Sequence, residues 1–216
     1  MKKNTLLLLL SVLFISCSPH TIVINSWRDK EKLKDKHIES IFIAVLTPHL
    51  DVQTTIENEI AYQVNQFGIK AYKSHNLFTK NFTKEEMPSQ EELLRVLEVT
   101  NAKIFFTIRI LDQKTSTSET TNTMFLPVYY NHGGIVDTFW YPSFKSPVNW
   151  SYTGLHEKNK SYYMETNLYD IETHELLWRA TTKTFNPYDL EGLTKRYTEK
   201  ILKKLERNKV IKKAEL

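Results

Sequence analysis

The chain has 216 residues, of which 41% are hydrophobic and 25% are charged, and this composition is ordinary for one folded domain. The net charge of +4 includes Lys2 and Lys3, and so small an excess argues against a nucleic-acid-binding protein. Five glycines argue against a Gly-rich phosphate-binding fold, and a single cysteine excludes an intramolecular disulfide.

The first residues have the pattern of a bacterial export signal. Met1-Lys2-Lys3 is positively charged, and an almost wholly apolar run over residues 6–15 follows it. This run is too short to cross a bilayer as a helix, which needs about 20 apolar residues. Residues 1–16 are therefore predicted to be a lipoprotein signal peptide that forms no part of the fold.

The end of this signal looks like the bacterial lipobox. Phe14-Ile15-Ser16 precedes Cys17, although the first of these positions more commonly holds leucine. The resemblance implies that Cys17 receives a diacylglyceryl group, that the chain is cut before it, and that its new amine is acylated too, for example with palmitate. Two or more acyl chains anchor a protein stably, at about 0.8 kcal/mol per buried methylene. The alternative is an ordinary cysteine within a cleaved secretory signal.

The residue after the cysteine bears on the location. In enteric bacteria an aspartate at this position retains lipoproteins in the inner membrane, and here the position is Ser18. The expected location is therefore the periplasmic face of the outer membrane. The expected partners are the membrane, through the N-terminal lipid, and another envelope protein; no nucleic acid and no cofactor is expected.

Residues 17–36 are predicted to be a lipid-anchored tether, and residues 37–210 a single α/β domain. The charged run over residues 30–36 is typical of a solvated linker. Thr21-Ile22-Val23-Ile24 and Trp27 lie within the same segment, and they could instead pair at the edge of a sheet.

The first half of the domain predicts alternating strands and helices. The predicted strands are 38–46, 69–72 and 103–111, and the predicted helices are 51–67 and a second one that begins at Ser89. Ser89 and Glu92 form the two ends of a capping box, while Gly68 and Asn101 are placed to end the helices. A βαβαβ order of this kind predicts a parallel core.

The second half predicts antiparallel strands and a final helix. Residues 161–171 and 175–185 alternate apolar and polar side chains, which is typical of a hairpin. Residues 189–208 have an apolar stripe and a basic opposite face, which is usually solvated but could meet anionic lipid headgroups. The predicted fold is α/β: a single domain with a mixed sheet, a βαβαβ start, an antiparallel hairpin end and a C-terminal helix.

Residues 115–155 interrupt this pattern as an aromatic-rich insertion. Long insertions between elements are often functional, and Tyr and Trp are favoured in protein interfaces. The alternative is that these rings pack on the domain's own sheet. The candidate partner-binding residues in the insertion are Tyr129, Tyr130, Phe139, Trp140, Tyr141 and Trp150.

Several motifs together carry a family resemblance. They are Ser26-Trp27-Arg28-Asp29, Met164-Glu165-Thr166-Asn167-Leu168-Tyr169-Asp170, Leu177-Trp178 and Thr184-Phe185-Asn186-Pro187. With them the chain resembles a family of small uncharacterised bacterial lipoproteins that show SW(R/K)D, ETNLYD…TG.L.W and TF.P patterns. It departs at His174, where the family turn has glycine. The resemblance implies an envelope address and this fold, and it implies no activity.

The sequence contains no motif that specifies a reaction. It has no Gly-x-Ser-x-Gly elbow, no His-Glu-x-x-His and no P-loop, and its histidines lack zinc-ligand spacing. Glu57 and Glu59 lie two apart on a predicted helix, so they do not face each other. Glu165 and Asn167 are expected to form either an ordinary sheet surface or the floor of a polar groove. We expect a non-enzymatic binding or scaffold module; the alternative is an envelope hydrolase with a site built from scattered residues.

Overall fold

The structure, a computed structural model, describes residues 20–34, 36–78, 82, 88–115 and 160–212. Its strands are β1 (His20–Arg28), β2 (Ser40–Leu46), β3 (Lys70–Lys73), β4 (Ile104–Thr115), β5 (Lys160–Asp170) and β6 (Leu176–Phe185). They form one six-stranded sheet in the order β1-β6-β5-β4-β2-β3. β2 pairs in parallel with β3 and β4, and the remaining pairs are antiparallel. The predicted mixed α/β sheet is confirmed.

Three α-helices lie within the described residues. They are α1 (Leu50–Asn65), α2 (Gln90–Thr100) and α3 (Leu190–Arg207). The Ser89 hydroxyl accepts the backbone N–H of Glu92, one of the free donors in the first turn of α2, at 3.1 Å. Gly68 and Asn101 take the left-handed conformation after α1 and α2, with φ of 76° and 50°. Among the described residues, no helix is long and apolar enough to span a membrane.

The sheet separates two apolar clusters. The larger one joins β2, β4, β5 and β6 to α1 and α3, and its members include Ile43, Ile56, Phe106, Trp178 and Tyr197. The smaller one lies on the other face, where Phe42, Phe105 and Tyr169 contact Leu93 and Leu97 of α2. α2 therefore covers the part of this face that β2 and β4 form. Over β6 and β1, no described helix contributes a residue to this cluster.

The domain begins earlier than the sequence predicted. β1 occupies much of the segment assigned to the tether over residues 17–36, and eight of its nine residues pair with β6. The assignment was wrong there because an edge strand buries only one face, so β1 lacks the continuous apolar run of a central strand. The other interpretation, pairing at a sheet edge, is the one that the structure shows.

The linker after β1 is also more ordered than a solvated tether. The Asp29 carboxylate accepts the backbone N–H groups of Glu31 and Lys32 in a tight turn. Lys36 then forms an ion pair with Asp170 at the end of β5. Hydrogen bonds to Asp29 thus hold the start of the charged run, and the ion pair with Asp170 holds its end.

Candidate functional site

The residues that the sequence analysis singled out for function lie outside the described residues. These are Cys17 and the six candidate aromatics of the insertion, Tyr129, Tyr130, Phe139, Trp140, Tyr141 and Trp150. The structure does describe where the insertion leaves the sheet and where it returns. Thr115 ends β4 and Lys160 begins β5, and the two are paired directly across the antiparallel ladder.

One residue inside the roots of the insertion, a row of paired residues crosses four strands. Lys114 pairs with Ser161, Ser161 with Phe185, and Phe185 with His20. Neighbouring strands lie about 4.8 Å apart, so this row is roughly 14 Å wide. We call the part of the sheet around this row the insertion end.

Aromatic rings and a lysine cluster at the insertion end. The His20 ring stacks on Phe185 with 4.5 Å between centroids and 22° between planes. The ammonium group of Lys183 lies 4.2 Å from the centroid of Phe185 and 5.4 Å from that of Tyr163. Each of these is within the range of a cation–π interaction. Lys183 is therefore held over aromatic carbon at the end of the sheet.

The loop from β6 to α3 completes this surface. Asn186 takes a φ of 42°, and its backbone N–H donates to the Lys160 carbonyl at 2.8 Å. Tyr188 follows and leaves 57% of its surface exposed, which is a large share for an aromatic residue. The Asp189 carboxylate then accepts the N–H of Gly192 at 2.6 Å and begins α3. The loop is consequently tied both to the root of the insertion and to a helix.

Glu165 and Asn167 lie in a polar network on the second face of the sheet. The Glu165 carboxylate accepts from Arg109 at 2.9 Å and from the Asn167 amide at 3.2 Å. The Asn167 carbonyl accepts from Arg179 at 2.6 Å. Arg109 faces Glu165, and Asn167 faces Arg179, across the strand ladders. The network is largely buried, and both arginines lie within 4 Å of the Glu165 carboxylate, at 2.9 and 3.9 Å, which fits a structural role better than an open groove floor.

Glu57 is a buried carboxylate that joins three parts of the chain. It is fully buried, and it accepts the backbone N–H of Val45 at 3.0 Å. The Ser74 hydroxyl donates to the same oxygen at 2.5 Å, and Nδ1 of His75 lies 2.7 Å from the other oxygen. The network lies near the carboxyl ends of the parallel strands β2 and β3. Glu59 takes no part in it, as its helical spacing predicted.

This network does not have the geometry of a nucleophile with its base. In such a site the hydroxyl donates to the histidine, and the carboxylate binds the far side of the ring. Here the hydroxyl of Ser74 donates to Glu57 and accepts from Gln53 at 2.9 Å. The arrangement anchors α1 to the ends of β2 and β3.

An open groove with a volume of about 900 Å³ lies at the opposite end of β1 from the insertion. Its basic lining residues are Arg28, Lys30, Lys34, Lys36, Lys209 and Lys212. Two of them are already engaged, because Arg28 donates to the Asn208 carbonyl and Lys36 pairs with Asp170. Within the described part of the chain, no group of three His, Cys, Asp or Glu side chains could hold a metal ion.

The sequence analysis missed most of the insertion end. It did not single out His20, Lys183 or Tyr188, since each is one polar or aromatic residue beside an ordinary element. A usable signal was present in Phe185-Asn186-Pro187-Tyr188, where two aromatics flank a turn before a capped helix. Only the pairing of β1 with β6 brings His20 to the same place.

No family model and no curated protein matches the chain. Solved structures that are similar include a PelC dodecamer variant from Paraburkholderia phytofirmans, with 9% identity and a TM-score of 0.43 over 85% of this chain and 96% of that one. A second PelC dodecamer structure from the same organism has 12% identity and a TM-score of 0.42 over 87% and 95%. A PDZ domain protein from Parabacteroides distasonis has 9% identity and a TM-score of 0.41 over 87% of this chain and 36% of that one. Likenesses this distant carry no argument about function.

Proposed function

We propose that the protein is a lipid-anchored component of the bacterial cell envelope that acts as a non-enzymatic binding or scaffold module. The observation that carries the proposal is the placement of the aromatic insertion. Both of its roots belong to paired strands inside a six-stranded sheet, at Thr115 and Lys160. A segment held in this way is presented by a rigid scaffold, which is the usual arrangement of binding loops.

The composition of the insertion supports a binding role. Residues 116–159 carry nine aromatic side chains and few charges. Tyr and Trp contribute much of the energy of protein interfaces because they bury large areas with little loss of conformational freedom. The residues that we assign to partner binding are Tyr129, Tyr130, Phe139, Trp140, Tyr141 and Trp150.

The envelope address rests on Cys17. A lone cysteine directly after an export signal is best explained as an acyl acceptor. With Ser18 in the next position, the proposed location is the periplasmic face of the outer membrane. The proposed partner is another envelope protein, and neither a cofactor nor a nucleic acid enters the proposal.

The partner-binding role is tested by crosslinking in living cells followed by mass spectrometry of the crosslinked proteins. The test variant replaces the six assigned aromatics with serine. The control replaces Tyr62, which is 62% exposed on α1, with serine. We expect one or more partners to be lost in the test variant and kept in the control. An unchanged set of partners in the test variant contradicts the role of the insertion.

The alternative of an envelope hydrolase has one geometric support, the 2.7 Å contact between Nδ1 of His75 and Glu57. A hydrolase built there requires Nε2 of the same ring to act on a nucleophile. Purified protein is assayed against ester and peptide substrates beside a His75→Gln variant. Turnover that disappears in the variant, while its fold persists, favours the hydrolase over the binding module.

A further inference from the structure

The insertion end is also the part of the domain closest to the proposed lipid anchor. Cys17 precedes His20 by three positions. Consecutive Cα atoms lie 3.8 Å apart, so the two Cα atoms are separated by about 11 Å at most. This bound holds for any conformation of the connecting residues. His20 is in turn the first residue of the row that lies one residue inside the roots of the insertion.

The other end of the sheet lies much farther from the anchor. β1 rises about 3.3 Å per residue, which places Arg28 roughly 26 Å from His20 along the strand. The turn between β5 and β6 lies beyond that level, because Arg28 pairs with Trp178 and the strand begins two residues earlier, at Leu176. Because Cys17 lies only three positions before His20, acyl chains on Cys17 would hold the insertion end beside the membrane surface.

The side chains at the insertion end have the chemistry of a membrane interface. Tyr188 is 57% exposed and Ile22 is 38% exposed. Ile22 pairs with the cationic Lys183, and Tyr188 follows three residues after Phe185, the last residue of β6. Rings with one polar edge favour the headgroup region, where the ring contacts acyl carbon and the hydroxyl stays hydrated. A lysine over aromatic carbon can extend its ammonium group to lipid phosphate.

We propose that the insertion end, through Ile22, Lys183, Phe185 and Tyr188, rests in the headgroup region of the membrane that holds the acyl chains of Cys17. The strands then stand away from the bilayer, and the turn between β5 and β6 points into the periplasm. The inference rests on the proposed function in one respect, the acylation of Cys17. It adds that the aromatic insertion leaves the domain at the lipid surface, so its protein partner also lies at that surface.

The basic face of α3 offers the main competing orientation. α3 starts at Leu190, five residues after the end of β6 at the insertion end, and Asn208, which follows its last residue, bonds to Arg28 and Trp178 at the far end of the sheet. A domain lying flat on this face brings Lys200, which is exposed, against the lipid. The two orientations predict contact at different residues and can therefore be separated.

The experiment uses the full-length acylated protein, in which Cys17 is blocked by lipid and a single introduced cysteine is the only free thiol. A fluorophore is placed by Ile22→Cys or Tyr188→Cys at the insertion end, by Lys200→Cys on α3, and by Thr173→Cys in the far turn. The proteins are reconstituted into vesicles of phosphatidylethanolamine and phosphatidylglycerol. A matched set of vesicles contains a lipid with a nitroxide on its headgroup, which quenches nearby fluorophores.

We expect nitroxide-dependent loss of fluorescence at positions 22 and 188, and none at positions 173 and 200. Quenching at position 200 or 173 that equals or exceeds the quenching at 188 overturns the proposed orientation. Circular dichroism of each labelled protein confirms its fold, and the two insertion-end variants serve as independent checks on each other. Failure of Cys17 to carry acyl chains, read by intact mass, refutes the proposed anchor and this inference together. Acylation with the wrong quenching pattern refutes the orientation alone.

Discussion

The ring of His20 stacks on the ring of Phe185 at the last rung of the β1–β6 ladder, with 4.5 Å between their centroids. This contact fixes the first residue of the sheet, and hence the place where the chain comes from its proposed anchor. His20 itself is exposed, so the stack covers one face of its ring without burying the residue.

Replacing His20 with alanine is expected to loosen the start of β1. Stacked aromatic pairs contribute about 0.5–1.5 kcal/mol beyond the area they bury, so we expect the free energy of unfolding to fall by about 1 kcal/mol. Hydrogen exchange should become faster at Thr21 and Ile22. Asn25→Ala, at an exposed position on the same strand, serves as the control. Equal exchange at the start of β1 in His20→Ala and in the control speaks against the stack.

Replacing Glu57 with glutamine is expected to destabilise the fold. The carboxylate accepts hydrogen bonds from Val45, Ser74 and His75. Glutamine has an NH2 group in place of one carboxylate oxygen, and this group donates hydrogen bonds where the oxygen accepted them. A buried polar group left without its partner costs about 1–3 kcal/mol, and we expect a loss in this range by chemical denaturation. Glu59→Gln on the same helix is the matched control and should change stability by less than about 0.5 kcal/mol. Equal stability of the two variants contradicts the anchoring role.

Asp170 makes stability depend on acid pH. Burial raises the pKa of its carboxyl, but bonds from Lys36 and from the N–H groups of Thr173 and Glu172 outweigh burial and hold the pKa below its ordinary value. The ionised form therefore stabilises the fold above the unfolded pKa of about 3.9, and this contribution is lost as the pH falls through the folded pKa.

We therefore expect Asp170→Asn to lower the unfolding free energy by about 1.5–3 kcal/mol near neutral pH, since it removes hydrogen bonds to a charged group. The difference between the variant and the native protein should shrink as the pH falls below about 4. Denaturant titrations at a series of pH values measure this difference. A constant gap across the range shows that the charge of Asp170 is not the cause.

Tyr197 makes stability depend on alkaline pH. Burial raises the pKa of its hydroxyl well above the ordinary value, and the 2.5 Å hydrogen bond with Thr166 offsets only part of that effect. Since the pKa of Tyr197 is higher in the folded state, the protonated hydroxyl contributes fully to stability below the unfolded pKa of about 10. This contribution is lost as the pH rises from there toward the folded pKa.

Tyr197→Phe is expected to cost about 1 kcal/mol at neutral pH, because the buried Thr166 hydroxyl loses its partner. The ultraviolet titration of the variant should lack one tyrosine that ionises only on unfolding. Tyr188→Phe, at an exposed position, is the control for stability and should change it by less than about 0.5 kcal/mol. If the tyrosine lost from the titration of Tyr197→Phe is instead one that ionises while the protein is still folded, the burial of the Tyr197 hydroxyl is contradicted.

Most of the fold could be predicted because its signals are local. Ser89 caps α2 as the sequence predicted, α3 starts within one residue of its predicted start, and Gly68 follows α1 with a positive φ. His174 has a φ of 62°, which is a conformation that favours glycine.

The parts that could not be predicted depend on neighbours distant in sequence. β1 is defined by its pairing with β6, more than 150 residues away, and its own residues alternate too weakly to distinguish a strand from a tether. Glu57 is polar, yet it lies four residues after the buried Gln53, beside the apolar stripe of α1. This spacing was the available sign that a carboxylate faces the core.

The central claim, that Cys17 anchors this domain to an envelope membrane, is tested most directly by metabolic labelling with a clickable fatty acid. Native protein and a Cys17→Ser variant are expressed in bacteria, and the labelled protein is measured in membrane and soluble fractions. We predict label and membrane retention for the native protein, and loss of both in the variant. Label that persists on Cys17→Ser, or a native protein that carries none, contradicts the account.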